Sequence, residues 1–480
     1  MTTGMPGAVS AAPPRLVVAG LGGDSGKTLV SLAMLASARA SGLDVRAFKK
    51  GPDYIDAAWL GWAAGRPARN LDTYLMGVPG VQQVFARHAT GADLAVVEGN
   101  RGLYDGADAE GTHSTAELAK ALDAPILLVV NATKVTRTLA ACVLGCQTFD
   151  SKVRIAGVVL NQVSGSRHER IIRDAVESRC HVPVVAVVPR LPGDALLHSR
   201  HLGLVPPPEF RGLAELGHRL VEQVGARLAM PTILELARRA PAAGWRVDQD
   251  ATPGDGSGLR IGYLQDSAFT FYYPENLECL EAAGATLVPI SSLTAHGLPP
   301  GLHALYIGGG FPETHAAAIA ANRAFLDDLR RHAQAGLPIY AECGGLMLLA
   351  QSLRQGDRVS PMAGVLPCDV ELCAGPQGHG YAELVVDTPN PFFPVGLALR
   401  GHEFHYSRLV PAAAPPRTAC VVRRGAGSVT GRDAMVVHQV WAAYTHLHAT
   451  STPEWARGLL GAARTFALGM DPARNVVDGV

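Results

Sequence analysis

The sequence predicts two α/β domains in one chain of 480 residues, the first of them built on a parallel sheet. The chain exceeds the roughly 100–200 residues of one ordinary domain. Apolar runs alternate with helical stretches along both halves, as parallel strands covered on both faces require. A segment rich in Pro, Gly and Asp interrupts this alternation, as is typical of a linker. We therefore expect domains at 15–240 and 259–452, a linker at 241–258 and a tail at 453–480.

The predicted elements follow one another at short intervals. The apolar runs of the first half are LVVA, VRAFK, LAVVE, ILLVVN, IAGVVLN and VPVVAVV, with helices from Leu29 to about Ser41 and around Thr115 to Leu122. The second half continues with LRIGYL, ATLVPI, HALYIGGG, LPIYAECGG and AMVVHQVWAAYTHLH. We expect the sheet of the second half to be more mixed in its last strands.

Composition argues against several classes of protein. Basic and acidic side chains balance at 42 each, which indicates no nucleic-acid partner. No basic n-region precedes an apolar h-region, and no stretch reaches the ~20 apolar residues of a membrane span, so we expect a cytoplasmic protein with no membrane partner. The eight cysteines are scattered without a CxxC, which indicates neither a disulfide framework nor a zinc site. Cys142 and Cys146 lie one helical turn apart and are predicted to be core residues.

A glycine-rich turn, GLGGDSGKT from Gly20 to Thr28, follows the first strand and leads into a helix. Glycines there let backbone N–H groups face an anion, and the helix N-terminus adds partial positive charge. Lys27 is placed to reach the β- and γ-phosphates, and the Thr28 hydroxyl is placed to bind magnesium. The strict GxxxxGK[ST] spacing would put its first glycine at Leu21, so the turn is a variant P-loop. The expected nucleotide-binding residues of this turn are Asp24, Ser25, Gly26, Lys27 and Thr28.

Acidic side chains follow two further predicted strands at their carboxyl ends. KKGPDYID follows the second strand, and Glu98 closes LAVVE, with Asp105 a few residues later in GNRGLYDG. Ligands of doubly wound sheets collect outside the carboxyl ends of strands, and carboxylates suit Mg²⁺ when phosphates supply its other ligands. A solvated loop would account for any one of these acids alone. Beside a P-loop, they predict magnesium ligands at Thr28, Asp53 and Glu98.

In the second half, PIYAECGGLMLLA has the strand, sharp turn and helix of a nucleophile elbow, with Cys343 at the turn. We expect the helix N-terminus to lower the pKa of this thiol and to favour the thiolate. A buried structural cysteine would not need the two glycines that follow it. A second cluster, YIGGG, ends an earlier strand, so Gly309 and Gly344 are predicted to offer N–H groups to an oxyanion.

A general base for this thiol is expected far along the chain but near in space. YTHLH offers His446 and His448 near the C-terminus. The competing cluster GHEFHYS contains His402, Glu403 and His405, which resemble a set of metal ligands. Its two histidines are three residues apart in a predicted strand or loop and so point to opposite faces, which disfavours a shared metal.

With these motifs in place, nearly the whole chain resembles the cobyrinic acid a,c-diamide synthase family. The resemblance is carried by the variant P-loop, FKKGPDYID, EGNRGLYDG, DSAFTFYYPENLE, GGGFPE, AECGGLM, GHGY, GHEFHYS and THLH, and FKKGPDYID followed by GLYDG is highly specific. It implies a P-loop synthetase domain similar to dethiobiotin synthetase, joined to a class I glutamine amidotransferase domain. It also implies ATP and Mg²⁺ as cofactors, L-glutamine as nitrogen donor, and a corrinoid or related tetrapyrrole carboxylate as acceptor.

The resemblance also implies roles for individual residues. Cys343 would attack the glutamine amide with His446 as the catalytic histidine, and the released ammonia would attack an acyl phosphate formed with ATP. The two sites would then communicate through a protected interface. Positions associated with ATP, magnesium or acyl-phosphate formation are Lys27, Thr28, Asp53, Glu98 and Asp105. Residues expected beside the reacting carboxylate are Lys50, Tyr54 and Asp56, and the residue expected beside the adenine is Asn161.

Two departures and several alternatives accompany this resemblance. Many class I amidotransferases carry HPE, whereas here His448 stands where that glutamate would be, so the third triad member is absent or supplied differently. Related cobyric acid synthases differ in the region of KKGPDYID, which counts against them. The acceptor stays open among cobyrinic or hydrogenobyrinic acid, sirohydrochlorin, its nickel form and siroheme. A partitioning-type P-loop ATPase with a non-catalytic glutaminase-like domain is the alternative from a different class. A homodimer is compatible with the sequence.

Overall fold

The computed structural model describes residues 12–191, 199–200, 203–245, 254–411 and 416–469. The chain divides into two compact units, Met1–Gln249 and Asp250–Val480. Residues 246–253 of the predicted linker and 470–480 of the predicted tail lie outside the described residues. Among the described helices, none combines the length and the apolar character that crossing a bilayer requires.

The N-terminal unit is an α/β unit with a seven-stranded parallel sheet. Its strands are β1 (Arg15–Gly20), β2 (Val45–Lys50), β3 (Arg69–Leu71), β4 (Leu94–Glu98), β5 (Ile126–Asn131), β6 (Ile155–Val163) and β7 (Val184–Pro189). Its helices are α1 (Lys27–Ala40), α2 (Tyr54–Ala64), α3 (Thr73–Ala89), α4 (Thr115–Ala121), α5 (Thr138–Phe149), α6 (Ser166–Cys180), α7 (Leu213–Gln223) and α8 (Met230–Arg238). The short strands β8 (Ser199–Arg200) and β9 (Gly203–Leu204) form a separate antiparallel ribbon.

The strand order β3-β2-β4-β1-β5-β6-β7 brings the predicted phosphate-binding elements together. Every neighbouring pair is parallel. Glu98 at the end of β4 lies opposite Val18 on one side and Lys49 on the other. β1 is buried along its whole length, as its continuous apolar run predicts. The turn after β1 therefore lies beside the carboxyl end of β4, and the carboxyl end of β2 is one strand further along the same edge.

Two local predictions for the N-terminal unit differ from the structure. Helix α1 begins at Lys27 rather than at Leu29, because the N–H of Val30 already donates to the carbonyl of Gly26 at 3.1 Å. Cys142 is exposed and Cys146 is half-buried, so the prediction that both are core residues is wrong for Cys142. Helix α5 is buried on another face instead, through Leu139, Ala140 and Val143.

Within its described residues, the C-terminal unit contains two sheets, one of ten strands and one of four. Its strands are β10 (Arg260–Leu264), β11 (Thr286–Ile290), β12 (Ala304–Ile307), β13 (Ile339–Glu342), β14 (Ser352–Gln355), β15 (Arg358–Pro361), β16 (Cys368–Leu372), β17 (Gly378–Val386), β18 (Ala398–His405), β19 (Ser407–Pro411), β20 (Thr418–Arg424), β21 (Arg432–Val437), β22 (Val440–Ala443) and β23 (His446–Leu447). Its helices are α9 (Pro274–Ala282), α10 (Ala316–Ala321), α11 (Arg323–Gln334), α12 (Gly344–Leu349) and α13 (Pro453–Ala467).

The large sheet runs β11-β10-β12-β13-β22-β21-β20-β17-β18-β23. Its first five strands are parallel and the remaining pairs are antiparallel, so the sheet is mixed in its last strands as expected. The run AMVVHQVWAAYTHLH divides into β21, β22 and β23, with a left-handed residue, His438 (φ 52°), at the first turn. The predicted tail begins with α13, whose Trp455 and Leu459 are buried in the core of this unit.

Candidate active sites

The turn after β1 has the tight backbone of a phosphate-binding loop. Asp24 and Gly26 adopt left-handed conformations, with φ of 52° and 94°. The Ser25 hydroxyl donates to the carbonyl of Gly22 at 2.9 Å, and Lys27 Nζ donates to the same carbonyl at 2.8 Å. Burial, followed by the nearby positive charge of Lys49, lowers the pKa of Lys27. The ammonium group of Lys27 thus lies close to the backbone of the loop. A phosphate bound there would contact both the ammonium group and the backbone N–H groups.

Asn161 braces this loop from β6. Its amide nitrogen donates to the carbonyl of Ser25 at 2.9 Å, and a methyl group added to Gly26 would lie 2.1 Å from that nitrogen. A side chain at Gly26 is therefore excluded by space as well as by its backbone conformation. The structure brings Asn161 to the P-loop, and the adenine contact stays a prediction.

The buried carboxylate of Glu98 at the end of β4 is bonded directly to Thr28 and Lys49, and through Lys49 it is linked to Asp56 of α2. Glu98 Oε1 accepts from the Thr28 hydroxyl at 2.9 Å and from Lys49 Nζ at 2.7 Å, and Lys49 also donates to Asp56 at 2.6 Å. Although burial opposes it, the two carboxylates raise the pKa of Lys49 above its usual value. Glu98 Oε2 is buried and has no hydrogen-bond partner within the described part of the chain. This oxygen is available to a cation.

The other residues of KKGPDYID surround this centre unevenly. Asp53 caps α2, accepting from the N–H of Asp56 at 2.9 Å. Burial and the neighbouring Asp56 raise the pKa of Asp53 to about 7. Lys50 is buried at the end of β2, where burial lowers its pKa against the opposing charge of Asp72. Tyr54 is the first residue of α2. A cation bound nearby would therefore stabilise the ionised form of the Asp53 carboxylate.

Asp105 shapes the loop after β4. Its Oδ2 accepts from the N–H of Gly102 at 2.8 Å, and the N–H of Leu103 in the same loop donates to the carbonyl of Gly20 at 2.7 Å. The carbonyl of Arg101 accepts from Lys27 Nζ at 2.7 Å. These contacts fasten the loop to the P-loop, so the described role of Asp105 is to hold a turn.

Cys343 lies between β13 and the short helix α12 in a strained conformation, with φ 47° and ψ −98°. Positive φ in a residue with a side chain costs on the order of 1–3 kcal/mol and is concentrated at functional sites. Its N–H donates to the carbonyl of Ala443 at 2.7 Å, which fixes the turn to β22. The glycines allow close packing, since a methyl group on Gly345 would lie 2.5 Å from the carbonyl oxygen of Ile307.

The predicted lowering of the thiol pKa is wrong for this state of the protein. Burial, aided by the charge of Glu313, raises the pKa of Cys343 to about 12, while a hydrogen bond from the N–H of Gly344 opposes the shift. The helix that follows has only six residues, and its dipole does not compensate for the loss of water. The thiol therefore needs a base.

His446 is brought to the glycine cluster after β12. A methyl group added to Gly309 would lie 2.6 Å from His446 Cε1 and 3.3 Å from Nε2. A methyl group on Gly344 would lie 3.0 Å from the backbone nitrogen of Gly310. The predicted oxyanion residues Gly309 and Gly344 and the predicted base therefore surround the elbow that carries Cys343.

The residues of GHEFHYS occupy different surroundings. His402 stacks on His446 with ring centroids 4.9 Å apart, whereas His405 stacks on Tyr444 at 3.7 Å. Glu403 accepts from the backbone N–H groups of the 426–427 turn. Burial, followed by the neighbouring histidines, holds the pKa of His402 well below its usual range. The structure thus assigns His402 to the surroundings of the candidate base.

Sequence reasoning missed Lys49, Glu342 and His402 as members of these sites. Lys49 lies inside the quoted motif, but the prediction placed its neighbour Lys50 there instead. Glu342 ends the buried strand β13, and its Oε2 lies 3.3 Å from His446 Nδ1. A charged residue at the end of an apolar strand was the available signal for both, since Glu342 is the last residue of β13 and Lys49 is the next to last of β2.

Fold and sites define a nucleotide-binding P-loop unit joined to a glutamine amidotransferase unit. The CobQ/CobB/MinD/ParA nucleotide binding domain matches residues 16–205, and the CobB/CobQ-like glutamine amidotransferase domain matches residues 260–454. The chain is similar to cobyrinate a,c-diamide synthases: 41% identical to that of Magnetococcus marinus (92% of this chain, 96% of the relative), 42% to that of Syntrophotalea carbinolica (94% and 98%) and 36% to that of Salmonella typhimurium (93% and 98%). The chain belongs to the cobyrinate a,c-diamide synthase family and is a glutamine-dependent ligase of cobalamin biosynthesis.

Proposed function

We propose that this enzyme amidates the a and c acetate side chains of cobyrinic acid, or of hydrogenobyrinic acid, with nitrogen from glutamine and energy from ATP. The observation that supports it most directly is the convergence of His446 and two glycine turns on the strained Cys343 elbow. The names of the relatives supply the acceptor, since all three are cobyrinate a,c-diamide synthases.

In the glutaminase step, His446 takes the proton of the Cys343 thiol as the sulfur attacks the amide carbon of glutamine. Because burial raises the pKa of Cys343, a base is needed to generate the thiolate at neutral pH. The N–H groups of Gly309 and Gly344 stabilise the oxyanion. The carbon–nitrogen bond then breaks, His446 returns the proton to the nitrogen, and ammonia leaves. Water hydrolyses the glutamyl thioester to glutamate and restores the thiol.

In the synthetase step, an acetate oxygen of the acceptor takes the γ-phosphoryl group of ATP, and ADP leaves. Ammonia then attacks the acyl carbon, phosphate leaves and the amide remains. Lys27 and the loop N–H groups bind the phosphates, and Lys50, Tyr54, Asp56 and Asp105 belong to the region of the acceptor carboxylate.

Magnesium fits the oxygen atoms around Glu98. Thr28, Asp53 and Glu98 would hold it, because Glu98 Oε2 is a buried carboxylate oxygen without a partner in the described residues and the Thr28 hydroxyl is bonded to the same carboxylate. When bound, Mg²⁺ supplies positive charge that orients and screens the phosphates. Lys49 holds Glu98 and Asp56 in place around this position.

The adenine end of ATP is assigned to a cavity of about 820 Å³ at the carboxyl ends of β5, β6 and β7. Its lining includes Thr133, Gln162 and Arg190. Gln162 follows Asn161, which contacts the P-loop carbonyl of Ser25. One end of the cavity therefore lies next to the residue that contacts the phosphate-binding loop. A nucleotide bound along this edge of the sheet would have its phosphates in the loop and its adenine in the cavity.

The glutaminase half of the proposal is tested with Cys343→Ala. We expect glutamine-dependent amidation to fall below detection while amidation with added ammonium salt continues at the wild-type rate. Persistence of glutamine use in this variant would overturn the assignment of the nucleophile. Absence of glutaminase activity in the wild-type protein, with and without ATP and cobyrinic acid, would instead favour a partitioning-type ATPase with a non-catalytic second domain.

The acceptor is tested by mass spectrometry of the products. Cobyrinic acid, hydrogenobyrinic acid, siroheme, sirohydrochlorin and nickel-sirohydrochlorin are incubated separately with ATP, Mg²⁺ and glutamine. We expect two amidations of cobyrinic or hydrogenobyrinic acid and none of the other macrocycles. Amidation confined to a sirohydrochlorin-type macrocycle would refute the proposed acceptor and leave the proposed chemistry intact.

A further inference from the structure

The position two residues beyond His446 does not supply the group that orients this histidine. His448 stands there, and its Nδ1 accepts from the N–H of Thr450 at 3.1 Å. Its ring packs against Tyr273 with centroids 4.5 Å apart, and its Nε2 lies 3.6 Å from Glu275. These contacts hold the His448 ring against Tyr273 and Glu275. A carboxylate that orients His446 therefore has to come from another element.

Glu342 brings a carboxylate to His446 from the residue before the nucleophile. Its side chain is fully buried at the end of β13, and Oε2 lies 3.3 Å from His446 Nδ1. Its Oε1 accepts from the N–H of Leu447 at 3.1 Å, so the carboxylate holds the backbone as well as the ring. β13 and β22 are neighbours in the sheet, which places the strand end and the histidine segment side by side.

Two tyrosines hold this carboxylate in place. Tyr340 donates to Oε1 at 3.1 Å, and Tyr306 donates to Oε2 at 3.2 Å. Burial, followed by the charge of Glu342, raises the pKa of each phenol well above the usual value for tyrosine. Both hydroxyl groups therefore keep their protons and remain hydrogen-bond donors. Each oxygen of Glu342 thus faces two donors, the arrangement that suits an acceptor-only carboxylate.

We propose that Glu342 is the positioning residue of the glutaminase site, holding His446 in the tautomer that carries its proton on Nδ1, so that Nε2, on the side of Gly309, is the atom that takes the thiol proton. The inference rests on the proposed role of the Cys343–His446 pair and supplies the third member that the sequence pattern lacks. An acceptor at Nδ1 selects the tautomer, and a carboxylate there stabilises the positive charge that His446 carries once it has taken the thiol proton.

The decisive variant is Glu342→Gln, which keeps the size of the side chain and removes its charge. We expect kcat for glutamine hydrolysis to fall by on the order of 10²-fold or more, as when the orienting carboxylate of a catalytic histidine becomes an amide. Amidation driven by ammonium salt should stay at the wild-type rate, because the synthetase site is in the other unit. Glu342→Asp, which retains the charge at a greater distance, should fall between wild type and Glu342→Gln.

The pH profile of glutaminase kcat separates this role from a merely structural one. The titratable groups against His446 include Glu342 at Nδ1 and His402 stacked on the ring, and the proposed glutaminase step adds the thiol of Cys343. Without the carboxylate, the positively charged ring is less stable, so the acidic limb of the profile should move to lower pH in Glu342→Gln. Glu371→Gln, at a half-buried glutamate of the same unit paired with Arg408, is the matched control and should leave rate and profile unchanged.

Three results would overturn the proposal. Glutaminase activity of Glu342→Gln within twofold of wild type would remove any positioning role, as would a reduced rate with an unmoved acidic limb. If Glu342→Gln does not fold, Glu342→Asp is measured in its place by glutaminase kcat and by the acidic limb of the pH profile. A wild-type kcat together with a wild-type acidic limb in Glu342→Asp would contradict the proposal. Failure of the proposed function itself is recognised separately, because Cys343→Ala would then keep its glutamine-dependent activity.

Discussion

A single methyl group at Gly309 should disable glutamine hydrolysis without removing a hydrogen-bond donor. In Gly309→Ala the new carbon would lie 2.6 Å from His446 Cε1 and 3.3 Å from Nε2. The backbone at Gly309 does not have positive φ, so alanine is tolerated by the chain itself. The variant therefore keeps the backbone N–H and acts mainly on the histidine, since the next side chain that the methyl group would meet, Phe271, lies at 3.3 Å.

The size of the effect follows from this distance. Non-bonded carbon atoms prefer separations of about 3.5–4.0 Å, so the ring of His446 has to move by about 1 Å. A displacement of about 1 Å at a reacting group costs on the order of 10²-fold in rate, which corresponds to about 2.7 kcal/mol in the activation barrier. We expect this loss in glutamine-dependent amidation and in glutaminase kcat, and none with ammonium salt as nitrogen donor.

Glutamate release in a coupled assay and amide formation by mass spectrometry give the two rates. Gly461→Ala is the control, because a methyl group there meets no atom within 4 Å. An undiminished glutaminase rate in Gly309→Ala would refute the placement of His446 against this glycine. An equal loss with glutamine and with ammonium salt would show that the damage is general and not at the histidine.

Three further predictions concern both sites. Glu98→Gln should reduce ATP turnover by at least about 10²-fold, since it removes a buried carboxylate from the proposed cation site. Glutaminase activity should persist in this variant. Unchanged ATP turnover would exclude the magnesium role of Glu98. Gly26→Ala should raise the KM for ATP at least tenfold, because the methyl group would lie 2.1 Å from Asn161 Nδ2 and the backbone φ of 94° disfavours alanine. An unaltered KM for ATP would contradict the loop conformation described above. Without glutamine, iodoacetamide should modify Cys343 at a rate that rises about tenfold per pH unit from pH 7 to 10, because its pKa is raised to about 12. Peptide mass spectrometry with the exposed Cys142 as internal reference measures this rate, and a plateau already at pH 7 would contradict the raised pKa.

Much of the fold could be predicted because buried parallel strands require continuous apolar runs. RLVVAG, LAVVE and ILLVVN are such runs, and each became a parallel strand. The predictions that failed are those that depend on orientation. Cys142 lies on an apolar helix, yet periodicity did not show which face of α5 meets the sheet. The pKa of Cys343 depends on how much water reaches the thiol, which a turn motif does not reveal.

The chemical groups of both sites and their local settings could be read from the amino-acid sequence, because loops and elbows are built from neighbouring residues. GLGGDSGKT specifies a phosphate loop, and AECGG specifies a nucleophile turn. The partners that hold these groups in position became visible in the folded protein. Glu98 meets Lys49 across 49 residues, and Glu342 meets His446 across 104. Such contacts arise from strand order and side-chain direction, and charged groups at these positions are stable only because each buried charge finds its partner on another strand.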